Sequence, residues 1–167
     1  MSINLIAAID RNYGIGHEQA LLFRIKKDLK RFKELTSGQI VVYGRKTLES
    51  LPHPLPNRVN VVLTRDENYQ APPGVIVMHS VETIVKHYFK TGTQTKDIWV
   101  CGGEQVYKAF IPFANEAHLT FVDKEADKVD TYFPYNYMKQ HLEIVSSEKH
   151  YSEEEECNYT FITYRHK

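Results

Sequence analysis

The sequence has little cysteine and no excess charge of either sign. Cys101 and Cys157 are the only two among 167 residues, and no CxxC pair occurs. That excludes a disulfide framework and a cysteine zinc site, and it suits a reducing cytoplasm. Eight histidines include no HExxH and no cluster with cysteine, so no metal is expected. Lys plus Arg number 21, and so do Asp plus Glu. The overall field of such a chain does not draw it to nucleic acid or to an anionic membrane. No apolar run approaches the roughly 20 residues that span a bilayer. The N-terminal stretch Ile3–Ile9 has no basic lead and reads as a buried strand. Repeats and low-complexity blocks are absent as well. What remains is 42% hydrophobic and 25% charged residues, an ordinary balance for one globular domain over residues 1–167.

Apolar, β-branched runs recur at Ile3–Ile9, 40–43, Val59–Leu63, Val75–Met78, 98–101 and 118–122. Runs of this kind suit strands covered on both faces. Helical patterns lie between them, at 23–35, just after Arg45, at Val81–Phe89 and at 105–110. The alternation predicts an α/β fold: a central, mostly parallel sheet of about eight strands with helices on both faces. Residues 141–150 and 158–164 read as an extended hairpin that gives the sheet an antiparallel C-terminal edge strand. The acidic run Glu153–Glu156 is expected as the solvated turn between them.

One charge falls where the helical pattern wants an apolar group. With Ile25 at zero and about 100° per residue, Leu29, Phe32 and Leu35 fall at about 40°, 340° and 280°. Lys26, Lys27, Lys30, Arg31, Lys33 and Glu34 fall between about 80° and 240°. Asp28 falls at about 300°, between Phe32 and Leu35. A carboxylate there leans out to water, pairs with an internal arginine, or faces a ligand and accepts two parallel N–H bonds from an amidine-like group. Partial burial would raise its pKa and suit it to proton handling.

Two strand-to-helix junctions have phosphate-binding composition. Cys101-Gly102-Gly103-Glu104-Gln105-Val106-Tyr107 offers backbone N–H groups at a helix start. Tyr43-Gly44-Arg45-Lys46-Thr47 adds two cations and a hydroxyl, and Leu63-Thr64-Arg65 adds one of each. Ligands of open parallel sheets bind beyond the carboxyl ends of the strands. The surplus of cations favours a nucleotide with an extra phosphate, NADP over NAD.

Read in order, several segments resemble the bacterial chromosomal type of dihydrofolate reductase. They are Leu5-Ile6-Ala7-Ala8, Ile15-Gly16, Asp28-Leu29-x-x-Phe32-Lys33-x-x-Thr36, Gly44-Arg45-Lys46-Thr47-Leu48-Glu49-Ser50, Pro54-Leu55-Pro56-Asn57-Arg58, Gly102-Gly103-x-x-Val106-Tyr107 and Asp130-Thr131-Tyr132-Phe133-Pro134. The resemblance implies reduction of 7,8-dihydrofolate to tetrahydrofolate by hydride from NADPH. It makes Asp28 the carboxylate that binds the pterin, with Thr120 supporting it and Phe23 as a nearby aromatic wall. Ile6, Ala8, Leu29, Phe32, Ser50, Leu51 and Leu55 would line the folate cleft, and Arg58 would hold the glutamate carboxylate. NADPH would contact Ala8, Ile15, Gly16, Gly44, Lys46, Thr47, Leu63, Cys101, Gly102, Gly103, Glu104, Gln105, Val106 and Tyr107, with Arg45, Thr64 and Arg65 around its 2′-phosphate. The resemblance also implies a cis peptide between Gly102 and Gly103, and a closing loop at 10–22 with Gly14 and Gly16 supplying flexibility. Asp28 would lie away from pterin N5, so water would deliver the proton there while Asp28 sets the electrostatics. A monomer binding dihydrofolate and diaminopyrimidine antifolates, but neither nucleic acid nor membrane, is expected.

The chain departs from the family pattern in places. Leu22-Phe23 stands where Pro-Trp is usual, so the aromatic wall lacks an indole N–H. Lys26 replaces a common proline, Val129 a frequent glycine, and Cys101 a frequent Ile or Leu. These changes bear on loop dynamics, turnover rate and antifolate sensitivity, and Leu22 with Phe23 predicts reduced sensitivity to diaminopyrimidines. Rival readings are a pyrimidine reductase on the same scaffold, for which Arg58 would have no carboxylate to hold, and a non-catalytic nucleotide- or folate-binding module.

Overall fold

The computed structural model describes residues 1–90 and 95–167. Its elements are, in chain order, β1 (Ile3–Ile9), β2 (Gly14–His17), β3 (Ala20–Leu21), α1 (Lys26–Thr36), β4 (Ile40–Gly44), α2 (Arg45–Ser50), β5 (Val59–Leu63), β6 (Val75–Met78), α3 (Val81–Phe89), β7 (Ile98–Val100), α4 (Glu104–Phe110), a 3-10 turn (Ile111–Phe113), β8 (Glu116–Val122), β9 (Thr131–Tyr132), α5 (Tyr135–Lys139), β10 (Leu142–Ser152) and β11 (Cys157–His166).

An eight-stranded sheet has the order β10-β11-β8-β1-β7-β4-β5-β6. From β8 through β6 every neighbouring pair is parallel. The C-terminal strand β11 is antiparallel to β8 and to β10, so the antiparallel strand lies one place inside the edge and β10 takes the edge itself. Residues 40–43 are fully buried, as a strand packed between two layers of helix requires. Successive side chains of β1 serve opposite layers. Ile3, Leu5 and Ile9 join the core under α3, α4 and α5, whereas Ile6 joins Val41, Tyr43, Val62 and Trp99 under α1 and α2. A third cluster unites Ile25, Val122, Tyr159 and Phe161 with Phe23 and Cys157. No helix among the described residues is long and apolar enough to cross a membrane.

Two expectations need correction. The helix begins at Lys26, three residues later than its periodicity suggests, because Ile25 is 3% exposed and extended (φ −106°, ψ 114°). Burying Ile25 and Phe23 in the third cluster brings the chain in straight, and α1 has no side-chain N-cap. Gly14 and Gly16, in turn, are not points of freedom. Both lie in β2, which pairs with β3 and β9 in a small second sheet. A Cβ on Gly14 would stand 2.7 Å from Val129 Cγ1, and one on Gly16 would stand 2.9 Å from Thr131 Oγ1. The glycines permit close packing of the 10–22 segment against residues 129–131.

Candidate active site

α1 and β8 set the acidic centre. Thr120 is 3% exposed, and its hydroxyl donates to Asp28 Oδ1 at 2.5 Å. Asp28 is half-buried. Burial pushes its carboxyl above the usual value of 3.8, against the Thr120 bond and the charge of Arg31, which pull it down. Asp28 therefore neither leans into solvent nor forms an ion pair with an arginine. Arg31 stacks 4.3 Å over the Phe161 ring, close enough to act on Asp28 through its field.

The apolar stripe of α1 is only partly sealed. Phe32 and Leu35 are half-buried, Leu29 is 37% exposed, and Thr36 is the one fully buried residue of the helix. Phe32, Leu51, Leu55 and Cys101 pack on the cluster that contains Ile6. These side chains form one apolar surface beside Asp28, with Leu29 at its exposed rim. Ala8 is on the same face of β1 as Ile6, opposite Thr120 in register. Ser50 is exposed and its hydroxyl donates to the Thr47 carbonyl at 2.6 Å. Phe23 is half-buried and packs against the third cluster, beside Phe161.

Arg58 is half-buried and pre-aimed. Its Nε donates to the Pro56 carbonyl at 2.8 Å and its Nη1 to Thr36 Oγ1 at 3.0 Å. Buried Asn60 holds the loop in front of it by bonding Leu55 N, Leu55 O and Arg58 O, and Tyr43 Oη donates to Asn60 Oδ1.

The second half of the site lies where β4 and β7 end. Gly44 N donates to Gly102 O at 2.9 Å, and a Cβ on Gly44 would come 3.1 Å from Val106 Cγ2. The Gly102–Gly103 peptide is cis, and Gly102 has φ +119°, a left-handed value that favours glycine. The space beside Gly103 is bounded by Thr47 Oγ1, 3.6 Å from an added Cβ. Buried Tyr107 donates from its hydroxyl to the Ile6 carbonyl at 2.7 Å, tying this turn to the strand beneath the Asp28 surface. Burial pushes the Cys101 thiol up to about 12, so it is an apolar wall and not a nucleophile.

Arg45 is exposed at the start of α2, and its guanidinium meets Glu49 at 2.9 Å, Asp66 at 3.4 Å and the Tyr69 ring at 5.0 Å. Thr64 is half-buried, Leu63 is half-buried against the main core, and Lys46, Arg65 and Gln105 are exposed. Glu104 accepts from Tyr132 N at 2.8 Å, joining α4 to β9. Ile15 is half-buried and Gly16 buried in β2. A surface cavity of about 470 Å³ lies under this small sheet, lined by Asp10, Asn12, His17, Asp127, Asp130 and Tyr132 among others, and not at Asp28.

Sequence reading overlooked Arg31 and the Thr36 anchor of Arg58. Arg31 had a usable signal: at about 240° it borders the Leu35 and Asp28 side of the helix.

A half-buried carboxylate on a helix and a paired-glycine turn, joined across the carboxyl ends of a parallel sheet, mark a small α/β protein of the nucleotide-binding class. The comparisons place it further. A family model for dihydrofolate reductase matches residues 2–166. The chain is 34% identical over 134 residues to a dihydrofolate reductase of Staphylococcus haemolyticus, covering 80% of this chain and 77% of that protein. It is 32% identical over 166 residues to that of Bacillus subtilis, covering 99% and 95%. Its fold matches dihydrofolate reductase from Enterococcus faecalis complexed with NADP(H) and RAB-propyl, with TM-score 0.88, 33% identity and 99% and 96% coverage. The chain belongs to the dihydrofolate reductase family.

Proposed function

We propose that Asp28, supported by Thr120, is the centre at which this chain performs the reaction of its family, the reduction of 7,8-dihydrofolate to tetrahydrofolate with NADPH. The observation that carries this reading is the 2.5 Å Thr120–Asp28 hydrogen bond at the edge of the Ile6 and Phe32 surface. Thr120 occupies one carboxylate oxygen from the sheet side and fixes the group's plane. The remaining lone pairs accept two parallel N–H bonds from the 2-amino and ring N–H edge of a pterin. Ile6, Ala8 and Phe32 flank the ring, while Leu29, Ser50, Leu51 and Leu55 line the path to Arg58. The anchored guanidinium of Arg58 then takes a carboxylate of the glutamate tail.

The residues at the ends of β4, β5 and β7 fit NADPH. Gly44, Gly102 and Gly103 leave backbone uncovered, and Thr47 supplies a hydroxyl beside them. Ile15, Gly16, Leu63, Cys101, Glu104, Gln105, Val106 and Tyr107 complete the wall. Arg45, Lys46, Thr64 and Arg65 provide the cations and hydroxyl for an extra phosphate, with Glu49 and Asp66 orienting Arg45. When bound, the cofactor supplies the hydride. The protein's own part is to hold the two rings together, exclude water and set the charge around the pterin. Asp28 acts by polarising the ring's far edge, and water brings the proton to N5. The chain works as a single domain and a cytoplasmic monomer, the first and last by likeness to its family and the cytoplasm by its two free thiols.

Mixing the chain with NADPH and dihydrofolate tests this directly. Loss of the reduced nicotinamide absorbance that depends on dihydrofolate is expected. Oxidation with a ribosylaminopyrimidine substrate in its place, or none with either, would overturn it.

A further inference from the structure

Three buried polar atoms on the α1 side of the sheet have no protein partner: Asn4 Oδ1, Trp99 Nε1 and His118 Nδ1. The strand registers bring them together. Asn4 of β1 is opposite Trp99 of β7 on one side and Glu116 of β8 on the other, and the next same-face residue of β1, Ile6, is opposite His118. The Trp99 and His118 rings meet across β1 with centroids 5.1 Å apart. Asn4 is 2% and Trp99 5% exposed, and the His118 side chain is 13% exposed. Orphaned buried polar groups are costly, and native proteins satisfy them with protein or water.

The valences match water. Glu116 accepts from Arg165 through two contacts of 3.0 and 3.1 Å. Although burial pushes its carboxyl up, the bonds from His118 and Arg165 outweigh that and hold it below the usual range. An ionised Glu116 accepts from His118 Nε2, 3.0 Å away, so the neutral ring presents a lone pair at Nδ1. One water donating to Asn4 Oδ1 and His118 Nδ1, and accepting from Trp99 Nε1–H, satisfies all three.

We propose that Asn4, Trp99 and His118 form an internal hydration site beneath the substrate face of the sheet, and that His118 is the group there that takes up a proton. The site lies on the strand face whose next same-side residue is Thr120, the partner of Asp28. It therefore stands between the Glu116–Arg165 ion pair and the acidic centre. The groups that act on His118 are Glu116 from its own strand, Arg165 of β11 through Glu116, and Arg31 from α1. Asn4 and Ile6 of β1 and Trp99 of β7 carry no titratable group. Burial and Arg31 oppose the proton and Glu116 favours it, with burial the largest effect, so protonation falls below the ordinary histidine value of 6.5.

Trp99 is the only tryptophan beside 11 tyrosines, so indole emission, excited at a wavelength that tyrosine does not absorb, reads this site alone. A protonated imidazole beside an indole quenches it. Emission of the wild-type chain, His118→Phe and His118→Gln is measured from neutral to acid pH, with circular dichroism confirming that each remains folded. The expected result is a loss of wild-type emission centred below pH 6.5, absent from whichever variants fold. An emission independent of pH in the wild type, or the same loss in a folded variant, overturns the proton-uptake claim. A crystal structure then shows density at about 3 Å from all three atoms, and a dry site there overturns the hydration claim.

Discussion

Asp28 carries opposed demands. A carboxylate that is half-buried to meet a ligand loses hydration, and its folded pKa rises above 3.8 because burial outweighs Thr120 and Arg31. Between 3.8 and that raised value the native state holds a proton that the unfolded chain has released. Stability therefore falls as pH rises through this window, and the loss is complete above that raised value. Asp28→Asn, which cannot ionise, is expected to melt at a higher temperature than wild type near neutrality. The advantage should vanish toward pH 3.8, as thermal denaturation at a series of pH values will show. Arg58, in the proposed role of holding a substrate carboxylate, would serve affinity and not chemistry. Arg58→Gln is expected to raise the KM for dihydrofolate by about 10–100-fold with kcat little changed, the loss of a charge-assisted contact of about 1.5–3 kcal/mol. Steady-state kinetics checks both parameters.

At the scale of elements, the small sheet of β2, β3 and β9 is held by shape. Gly14 N also donates to Asp10 Oδ1 at 2.8 Å, and Asp10 accepts from Asn12 N and Ala126 N as well. One buried carboxylate thus ties the 10–22 segment to the 126–131 loop. Gly14→Ala forces its methyl into Val129 and is expected to cost about 1–3 kcal/mol. The Gly14→Ala/Val129→Ala pair is expected to recover most of that in denaturant melts. Val129, which departs from the family pattern, thus acts as packing for Gly14. These short strands escaped sequence reading because two to four residues give no period and their register rests on long-range bonds. The central strands were legible because burial on both faces demands unbroken apolar runs. The α1 periodicity correctly isolated Asp28, yet it misplaced the helix start, because Ile25 satisfies the helical pattern while its burial belongs to the β8–β11 side.

At the scale of the molecule, both halves of the site hang on strands of one sheet, and Tyr107 bonds the glycine turn to the Ile6 carbonyl. Ligands that bind only the folded chain stabilise it by mass action. NADPH at about 100 times its Kd is expected to add about 2.7 kcal/mol, seen as a higher melting temperature. NADH at the same concentration is expected to add less, because it offers Arg45, Thr64 and Arg65 no extra phosphate. The most direct measurement of the whole account is the pH profile of dihydrofolate-dependent NADPH oxidation in the wild type beside Asp28→Asn. The account predicts a wild-type transition above 3.8 that the variant lacks, with the variant slower by about 10²–10³-fold. Equal rates and superimposable profiles would contradict it.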